Sequence, residues 1–425
     1  MKPLATLAPM HIPVINHTHY QVYRGDSAEI LPSMVDASFD LVLTDPPYGI
    51  SFMGKAWDRA LPNPEIWKQC YRLLKPGGSA LVMSGSRAGC LWRMCRDLEE
   101  AGFEMSQSVL WWVYYSGFPK GQNLSIAADK QAGAQREVIG KSARHGGAGQ
   151  LDSPFHLPGI TDEQPDITAP ATDLARELDG WYSKGKVKPA VEVIIWARKP
   201  ISEKTELDNM TKWGVGGVNC GACMVPSDEP ITVNVLEQWS GLGQLKQPSY
   251  VSTQQTGRFP ANMIVTDNAL GDGSKYFSVD AWAAEHGYTE DGWAEAAAAG
   301  LLQITKPPVS EKEAGLRGIV PCTTCGSLAS TEHTDSRGKQ VPCKRNSHPT
   351  CKPVTLMAYL VNFLTRPGAT VLDPFAGSGS TLVGALQSGR RAVGVELDAD
   401  DEGFIDIIGA RCHQALLDTT PEAEL

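Results

Sequence analysis

The chain of 425 residues predicts an α/β fold, in which strands and helices alternate around a parallel sheet and a further domain is inserted. Three observations carry that expectation. A short apolar run at 40–44 stops at Asp45-Pro46-Pro47, and tandem prolines cannot continue a central strand, so the chain leaves the sheet there. A second apolar run at 369–372 stops at Asp373 and enters a glycine-bearing turn, Gly377-Ser378-Gly379, that leads into a helical segment. Between these two ends the periodicity gives way to polar and turn-forming residues, which marks an insertion.

Taken in order, Asn63 followed by Pro64 reads as a helix N-cap with proline at the first helical position, and Ile66, Trp67, Cys70, Tyr71 and Leu74 follow at helical spacing. Pro76-Gly77-Gly78 stops that helix, and residues 79–83 form the next strand. A helix over 87–101 closes at Gly102, and 103–115, rich in Val and aromatics, reads as one long strand. Regularity fades over 116–189 apart from a helical piece at 124–131, and 191–197 is a strand. Residues 202–345 are turn-rich and Cys-bearing, but 259–265 and 300–304 read as packed, so this segment is a domain rather than a linker. Beyond Pro353 the alternation returns: a helical stripe of Leu356, Leu360, Phe363 and Leu364, a strand at 369–372, a helix at 380–387, a strand at 391–397 and a last helix at 401–417.

Hydrophobic residues make up 42% of the chain, enough for a sizeable core. No apolar run can span a bilayer, and residues 1–20 carry Lys2 alone as a basic side chain and no apolar signal core. A cytoplasmic location without a membrane partner is expected. Ten Cys in this length do not make a disulfide scaffold. The net charge of −10 disfavours nonspecific nucleic-acid binding, although DNA contacts are local. Two basic stretches are candidates for such contacts: Lys184, Lys186, Lys188, Arg198, Lys199 and Lys204, and then Arg337, Lys339, Lys344, Arg345 and Lys352.

The two strand ends make chemical sense together. Ligands of open α/β sheets bind at the carboxyl ends of strands. Gly377 and Gly379 let backbone approach a ligand closely, the following helix N-terminus presents unpaired N–H groups, and Glu396 at the end of the next strand can accept both hydroxyls of a ribose. In the other motif the Asp45 carboxylate can accept one hydrogen of an exocyclic amine and the Pro46 carbonyl the other, while Pro46 and Pro47 stiffen the loop and Tyr48 offers a ring on which a base can stack. That geometry turns a nitrogen lone pair toward a methyl sulfonium. An amine inside a duplex is hidden, so the base must be flipped out first. The bland readings are an ordinary strand–helix turn and an ordinary proline turn; the co-occurrence of both motifs favours S-adenosylmethionine-dependent methylation of a DNA base.

The chain resembles the permuted, β-group DNA amino-methyltransferases, in which the catalytic motif precedes the cofactor motif. The resemblance spans roughly 20–120, 180–200 and 340–415. It rests on Arg24-Gly25-Asp26, Asp45-Pro46-Pro47-Tyr48, Leu74-Lys75-Pro76-Gly77-Gly78, His348-Pro349-Thr350-Cys351-Lys352-Pro353 and Asp373-Pro374-Phe375-Ala376-Gly377-Ser378-Gly379-Ser380-Thr381. It implies a circularly permuted, Rossmann-like methyltransferase sheet of about seven strands, one of them antiparallel. It implies S-adenosylmethionine as cofactor, with Asp26 near the adenine, Phe375 packed beside it, Asp373, Gly377 and Gly379 along its methionine and ribose, Glu396 on the ribose, and Thr350 with Lys352 closing the site. The chain would divide into a catalytic half at 1–201, with a mobile DNA-contacting loop at about 116–189, a target-recognition insert at 202–345 and a cofactor half at 346–425.

Asp at position 45 is the commoner form for adenine N6, whereas cytosine-N4 enzymes more often carry Ser there. Adenine-N6 methylation of double-stranded DNA at a short site is therefore expected, with cytosine-N4 methylation by the same mechanism as the alternative. A catalytically idle DNA-binding module is the alternative of another class. Protein-glutamine methyltransferases carry Asn first and the cofactor motif upstream, which sets them apart. Trp213-Gly214-Val215-Gly216-Gly217 and Arg258-Phe259-Pro260-Ala261-Asn262 are similar to phage and prophage members. A homodimer and a paired restriction endonuclease are left open.

Cys220-x-x-Cys223 and Cys322-x-x-Cys325 would together make a tetrathiolate zinc site, and Cys322, Cys325 and Cys343 with His333 or His348 make a second set. Cys322, Cys325 and Cys343 are the favoured metal ligands, with free thiols in a reducing compartment as the bland reading. Trp111, Trp112, Tyr114 and Tyr115 read as core before they read as stacking groups for a base, and Phe118-Pro119-Lys120 as a DNA contact.

Overall fold

The computed structural model describes residues 11–50, 58–114, 121–141, 166–183, 187, 189–236, 250–266, 269–287, 309–334, 340–348, 350–398 and 403–419. In chain order these form β1 (Ile15–Asn16), β2 (Tyr20–Arg24), α1 (Ser27–Ile30), β3 (Phe39–Thr44), α2 (Pro64–Leu73), β4 (Leu74–Gly85), α3 (Ala88–Glu100), β5 (Leu110–Val113), α4 (Leu124–Gln131), β6 (Val138–Lys141), β7 (Asp166–Thr168), α5 (Asp173–Glu177) and β8 (Val191–Arg198). There follow α6 (Glu206–Trp213), β9 (Val225–Leu236), β10 (Tyr250–Arg258), β11 (Met263–Val265), α7 (Val279–Glu285), α8 (Val309–Glu313), β12 (Glu332–Thr334), β13 (Gln340–Pro342), α9 (Val354–Leu364), β14 (Thr370–Asp373), α10 (Ser380–Gln387), β15 (Arg391–Glu396) and α11 (Phe404–Thr419). The chain divides into two compact units, Met1–Tyr115 with Val191–Leu425, and Ser116–Ala190. Residues 202–345 belong to the larger unit and do not separate from it.

The larger unit is built on a nine-stranded sheet of order β1-β2-β15-β14-β3-β4-β8-β5-β11. From β2 to β5 it has the expected arrangement, parallel throughout except β8, which runs antiparallel to both β4 and β5. The extra strands sit at the edges: β1 folds back on β2 as a hairpin, and β11 joins β5 in parallel. Successive side chains of a strand point to opposite faces. Accordingly Leu41, Leu43, Leu81 and Met83 pack into one core with α9, α10 and α11, whereas Val42, Ala80 and Val82 pack into the other with α2 and α3. Buried Asp40 braces the sheet from within, accepting from Lys75 Nζ at 2.6 Å and from the backbone N of Thr370 at 2.8 Å.

Local chemistry explains most boundaries. The Asn63 side chain accepts from Glu65 N at 3.0 Å and Pro64 opens α2, as its fixed φ allows. Two expectations change. The long strand over 103–115 shrinks to β5, because polar Ser106, Gln107 and Ser108 offer no alternating apolar face, and Glu104 makes only an isolated bridge to Arg198. The stripe on α9 is instead a helix buried at every position, because it is covered by the sheet, α7 and α10. The expected packed stretch at 300–304 lies outside the described residues.

The smaller unit is organised by buried Asp129 at the end of α4. Its carboxylate accepts from Ala171 N at 3.0 Å, Thr172 N at 2.9 Å, Thr172 Oγ1 at 2.7 Å and Arg136 Nη1 at 2.5 Å. β6 and β7 pair antiparallel beside it.

The close crossing of α9 and α10 depends on Gly384, where a Cβ would meet Ala358 N at 2.8 Å and Met357 Cβ at 2.9 Å. Gly384→Ala is expected to lower the unfolding free energy by about 1–3 kcal/mol in urea titrations. An unchanged midpoint would show that the two helices can move apart without cost.

Candidate active site

β3 and β14 are adjacent parallel strands, and their carboxyl ends deliver the two sequence motifs to one place. Thr44 Oγ1 donates to Asp373 Oδ1 at 2.6 Å, between buried residues. Beyond this junction opens a cavity of about 360 Å³, whose wall includes Asp26, Asp45, Pro47, His348, Thr350, Lys352, Asp373, Phe375, Gly377, Glu396 and Phe404. That size lies within the roughly 300–1,000 Å³ of small-molecule sites.

On the cradle side, Asp373 also accepts from Phe375 N at 3.0 Å, and Glu396 accepts from Gly377 N at 2.6 Å. Gly377 has φ +56°, and a Cβ there would lie 2.9 Å from His348 Nε2, so only glycine lets the loop pass under the imidazole. From α11, buried Arg411 holds the loop by donating to Ser378 O at 2.6 Å and Ser378 Oγ at 3.2 Å. Asp26 caps α1 by accepting from Ala28 N at 2.8 Å, Ser27 Oγ donates to Pro374 O, and the Phe375 ring sits 6.0 Å from that of Trp67. Burial pushes the Asp373 carboxyl up to about 6 and that of Glu396 up to about 7, although each accepts hydrogen bonds that favour ionisation. Burial, followed by the charges of Lys352 and Arg411, pushes His348 down to about 3, so its imidazole is neutral at ordinary pH.

On the loop side, Tyr48 Oη donates to Asp45 Oδ1 at 2.5 Å and lies 3.4 Å from Glu192 Oε2. Lys352 forms an ion pair with Asp45 and lies 3.4 Å from Glu192. Burial works against the Lys352 charge, but the two carboxylates outweigh it and hold its pKa above the usual lysine value. The Tyr48 phenol is raised well above its ordinary value, by burial first and then by Asp45 and Glu192. The turn after the prolines is clamped by Asp58, whose carboxylate accepts from Tyr48 N at 2.7 Å, Gly49 N at 2.9 Å and Ile50 N at 3.3 Å. The result is a carboxylate beside a stiff, anchored loop, opening on the same cavity as buried Asp373 and half-buried Glu396.

Most of the sequence-derived residues therefore meet around one cavity. Pro46 is buried but does not line it, Tyr48 joins through its hydroxyl, and Gly379 caps α10 against Ile408 outside the wall. Lys352 reaches Asp45 as well as the cavity. Sequence reasoning missed Asp58, Glu192, His348 as a wall residue, and Arg411. Signals existed for Glu192, an acid within the otherwise apolar stretch 191–197, and for His348, which heads the motif that holds Thr350 and Lys352.

Several candidate DNA contacts prove to be structural. Arg198 pairs with Glu206, Lys199 donates to the carbonyls of Leu74 at 2.7 Å and Arg72 at 3.3 Å, and Arg345 is buried against the carbonyls of Ser327, Leu328 and Ser330. Trp112 is core, its Nε1 donating to Thr266 Oγ1 at 3.0 Å, and Tyr114 packs on the same core, while Trp111 is partly exposed. Lys184, Lys186, Lys188, Arg337, Lys339, Tyr115 and Phe118-Pro119-Lys120 lie outside the described residues. The thiols of Cys322, Cys325 and Cys343 converge with His333. Cys223 is buried elsewhere, with Sγ 3.7 Å from Tyr359 O, so the tetrathiolate set does not form, and His348 belongs to the cavity.

A doubly covered α/β sheet with a glycine cradle and a proline-stiffened carboxylate loop at one strand junction is a methyltransferase fold with room for a small ligand at that junction. The DNA methylase family of N6/N4 type matches residues 39–402, and the chain belongs to it. Over 50 residues, 12% of this chain and 22% of the other, it is 66% identical to the "Putative methylase YubD" of Escherichia coli (strain K12). Over 54 residues, 13% of this chain and 18% of the other, it is 43% identical to the DNA adenine methyltransferase YhdJ of the same strain. The chain thus spans about a fifth of the length of these curated relatives. Among solved structures it is similar to the PvuII DNA methyltransferase (cytosine-N4-specific), at 14% identity over 95% of each chain with a TM-score of 0.39.

Asp58→Ala frees three backbone amides of the loop. Turnover is expected to fall about tenfold or more, with cavity-ligand affinity held within about threefold. A parallel loss of affinity in equilibrium dialysis would mean that the clamp holds the cavity rather than the loop.

Proposed function

We propose that the protein moves a methyl group from S-adenosylmethionine to the N6 amine of an adenine flipped out of duplex DNA. The observation that carries this reading is the opening of Asp45 and Pro47 onto the cavity lined by Asp26, Asp373, Gly377 and Glu396. The residues fit the cofactor: Glu396 is a half-buried acceptor suited to ribose hydroxyls, Phe375 an apolar wall, and the two acids, Asp373 and Glu396, favour a cationic ligand. S-adenosylmethionine supplies a methyl group on cationic sulfur, an electrophile that needs no strong base opposite it. Asp45 accepts a hydrogen of the amine and orients its lone pair, so the nitrogen–carbon bond forms as the carbon–sulfur bond breaks. The proton lost from nitrogen passes to Asp45 or to water.

In the resting arrangement Lys352 occupies one Asp45 oxygen and Tyr48 the other. The amine takes the place of the lysine, whose ammonium keeps Glu192 as partner. Asp at position 45 supports adenine, as does the local identity to a relative named as an adenine methyltransferase. The motif order supports the permuted β-group. Residues 202–345 are assigned to target recognition, and the unit at 116–190 to DNA contact.

The test is methyl transfer from S-adenosylmethionine to unmethylated duplex DNA, with the nucleosides identified by mass spectrometry. N6-methyladenine is expected. N4-methylcytosine would overturn the base assignment, and no methylated base with cofactor bound would indicate an idle DNA-binding module. Asp45→Ala should cut turnover by about 100-fold or more with cofactor affinity kept; loss of cofactor binding would refute its assigned role.

Cofactor affinity should also depend on pH. Ribose hydroxyls donate to ionised Glu396, whereas the free protein holds its carboxyl at about 7. Below that pH the acid must lose a proton to bind, so affinity falls toward about tenfold per pH unit, and above it affinity levels off. Calorimetry between the Asp373 value of about 6 and the Glu396 value of about 7 should show the slope in the native protein and not in Glu396→Gln.

A further inference from the structure

We propose that Cys322, Cys325, His333 and Cys343 bind one zinc ion in a closed, structural site apart from the active-site cavity. The ligand atoms of these residues all lie within 4.8 Å of one another. Individual separations are 3.7 Å between Cys325 Sγ and Cys343 Sγ, 3.9 Å between Cys322 Sγ and His333 Nδ1, and 3.6 Å between Cys343 Sγ and His333 Nδ1. A tetrahedral ion with Zn–S of about 2.3 Å and Zn–N of about 2.0 Å requires sulfurs about 3.8 Å apart and sulfur–nitrogen separations of about 3.6 Å. A disulfide needs about 2.05 Å between sulfurs, so the cluster has the spacing of shared coordination and not of a bond.

The backbone is shaped for the same purpose. Cys322 and Cys325 lie on one tight turn, closed by Gly326 N donating to Cys322 O at 2.9 Å. His333 is on β12, paired opposite Val341 of β13, and Cys343 follows β13 directly, so the hairpin brings both to the turn. Cys343 N donates to Thr331 O at 2.8 Å and Thr323 N to Lys344 O at 2.8 Å, which stitches turn and hairpin together.

The surroundings explain why such a site is needed. Of the described residues from α8 to Asn346, Leu316 and Val320 are the apolar side chains that share a core cluster, against Phe404, Ile407 and Ala410 of α11. A loop-rich segment with so little apolar interior is the kind that a metal staples. Four protein ligands leave no position for substrate, which marks the site as structural.

The full chain, purified without chelator, is to be analysed for metal by mass spectrometry. About one zinc per chain is expected, absent from Cys325→Ser and His333→Ala but kept in Cys220→Ser. Because the first two variants risk misfolding, the native protein is also exchanged into cobalt, whose tetrahedral thiolate site gives intense visible bands, and melted with and without chelator. Expected are those bands and a lower melting temperature after zinc removal. Metal-free native protein with freely titrating thiols at all three cysteines, or octahedral cobalt spectra, would overturn the proposal. These readouts do not depend on methyl transfer, so failure of the proposed function would leave them intact.

Discussion

The parallel pairing of β3 with β14 is the constraint on which the rest of the structure depends. It joins residues more than three hundred positions apart, and the Thr44–Asp373 hydrogen bond, 329 residues apart in sequence, seals its carboxyl end. Asp40 locks the same pair at the other end through Thr370 N. With register held at both ends, the proline loop leaving β3 and the glycine loop leaving β14 must open on the same side. At this point the chain continues from β3 to helices on one face and from β14 to helices on the other, which is where open α/β sheets leave a crevice.

The crevice divides electrostatically. On the loop side, Asp45 and Glu192 share Lys352, a cation within reach of both. On the cradle side, the partners found for Asp373 and Glu396 are backbone amides and hydroxyls, and burial raises both acids toward neutrality. A ligand that brings positive charge and hydroxyl donors relieves the cradle side without competing for Lys352. An amine entering the loop side must instead exchange with the lysine. The two halves therefore offer a ligand different chemistry, as the proposed transfer from a cationic donor to a neutral amine requires.

How much of this was legible in sequence follows from the range of each interaction. Short-range chemistry could be read directly: Asn63-Pro64 before α2, the strand-ending Asp45-Pro46-Pro47, and the glycine turn before α10. The shortening of β5 could not, since it turns on which residues of 103–109 find a partner strand. The helix α9 read as a stripe because its sequence shows period but not what lies on its other sides. Glu192 and Arg411 act on partners far along the chain, Tyr48 and Ser378, that no local pattern encodes. Lys352 was read as closing the cofactor site, and it does line the cavity, but its pairing with Asp45 appears only once the two ends of the chain are joined. Among the cysteines, the x-x spacing marked a turn, while the choice of His333 over His348 was set by the hairpin.

Thr350 and Lys352 lie outside any helix or strand. Their order comes from the segment before them: Glu313 accepts from Arg345 N at 2.8 Å and Asn346 N at 3.1 Å, and Glu311 accepts from Val354 N at 3.0 Å. Arg345 and Asn346 lie just past Cys343, with Lys344 between, so the proposed zinc site stands a short step along the chain from the residues that meet Asp45. With zinc bound, a knuckle there would fix where the chain enters the cavity wall, and α11 holds the same wall from the other side, through Arg411 on Ser378 and Phe404 against His348. The segment that runs from the hairpin of β12 and β13 into α9 is thereby held at both ends, and with it the position of Lys352 against Asp45.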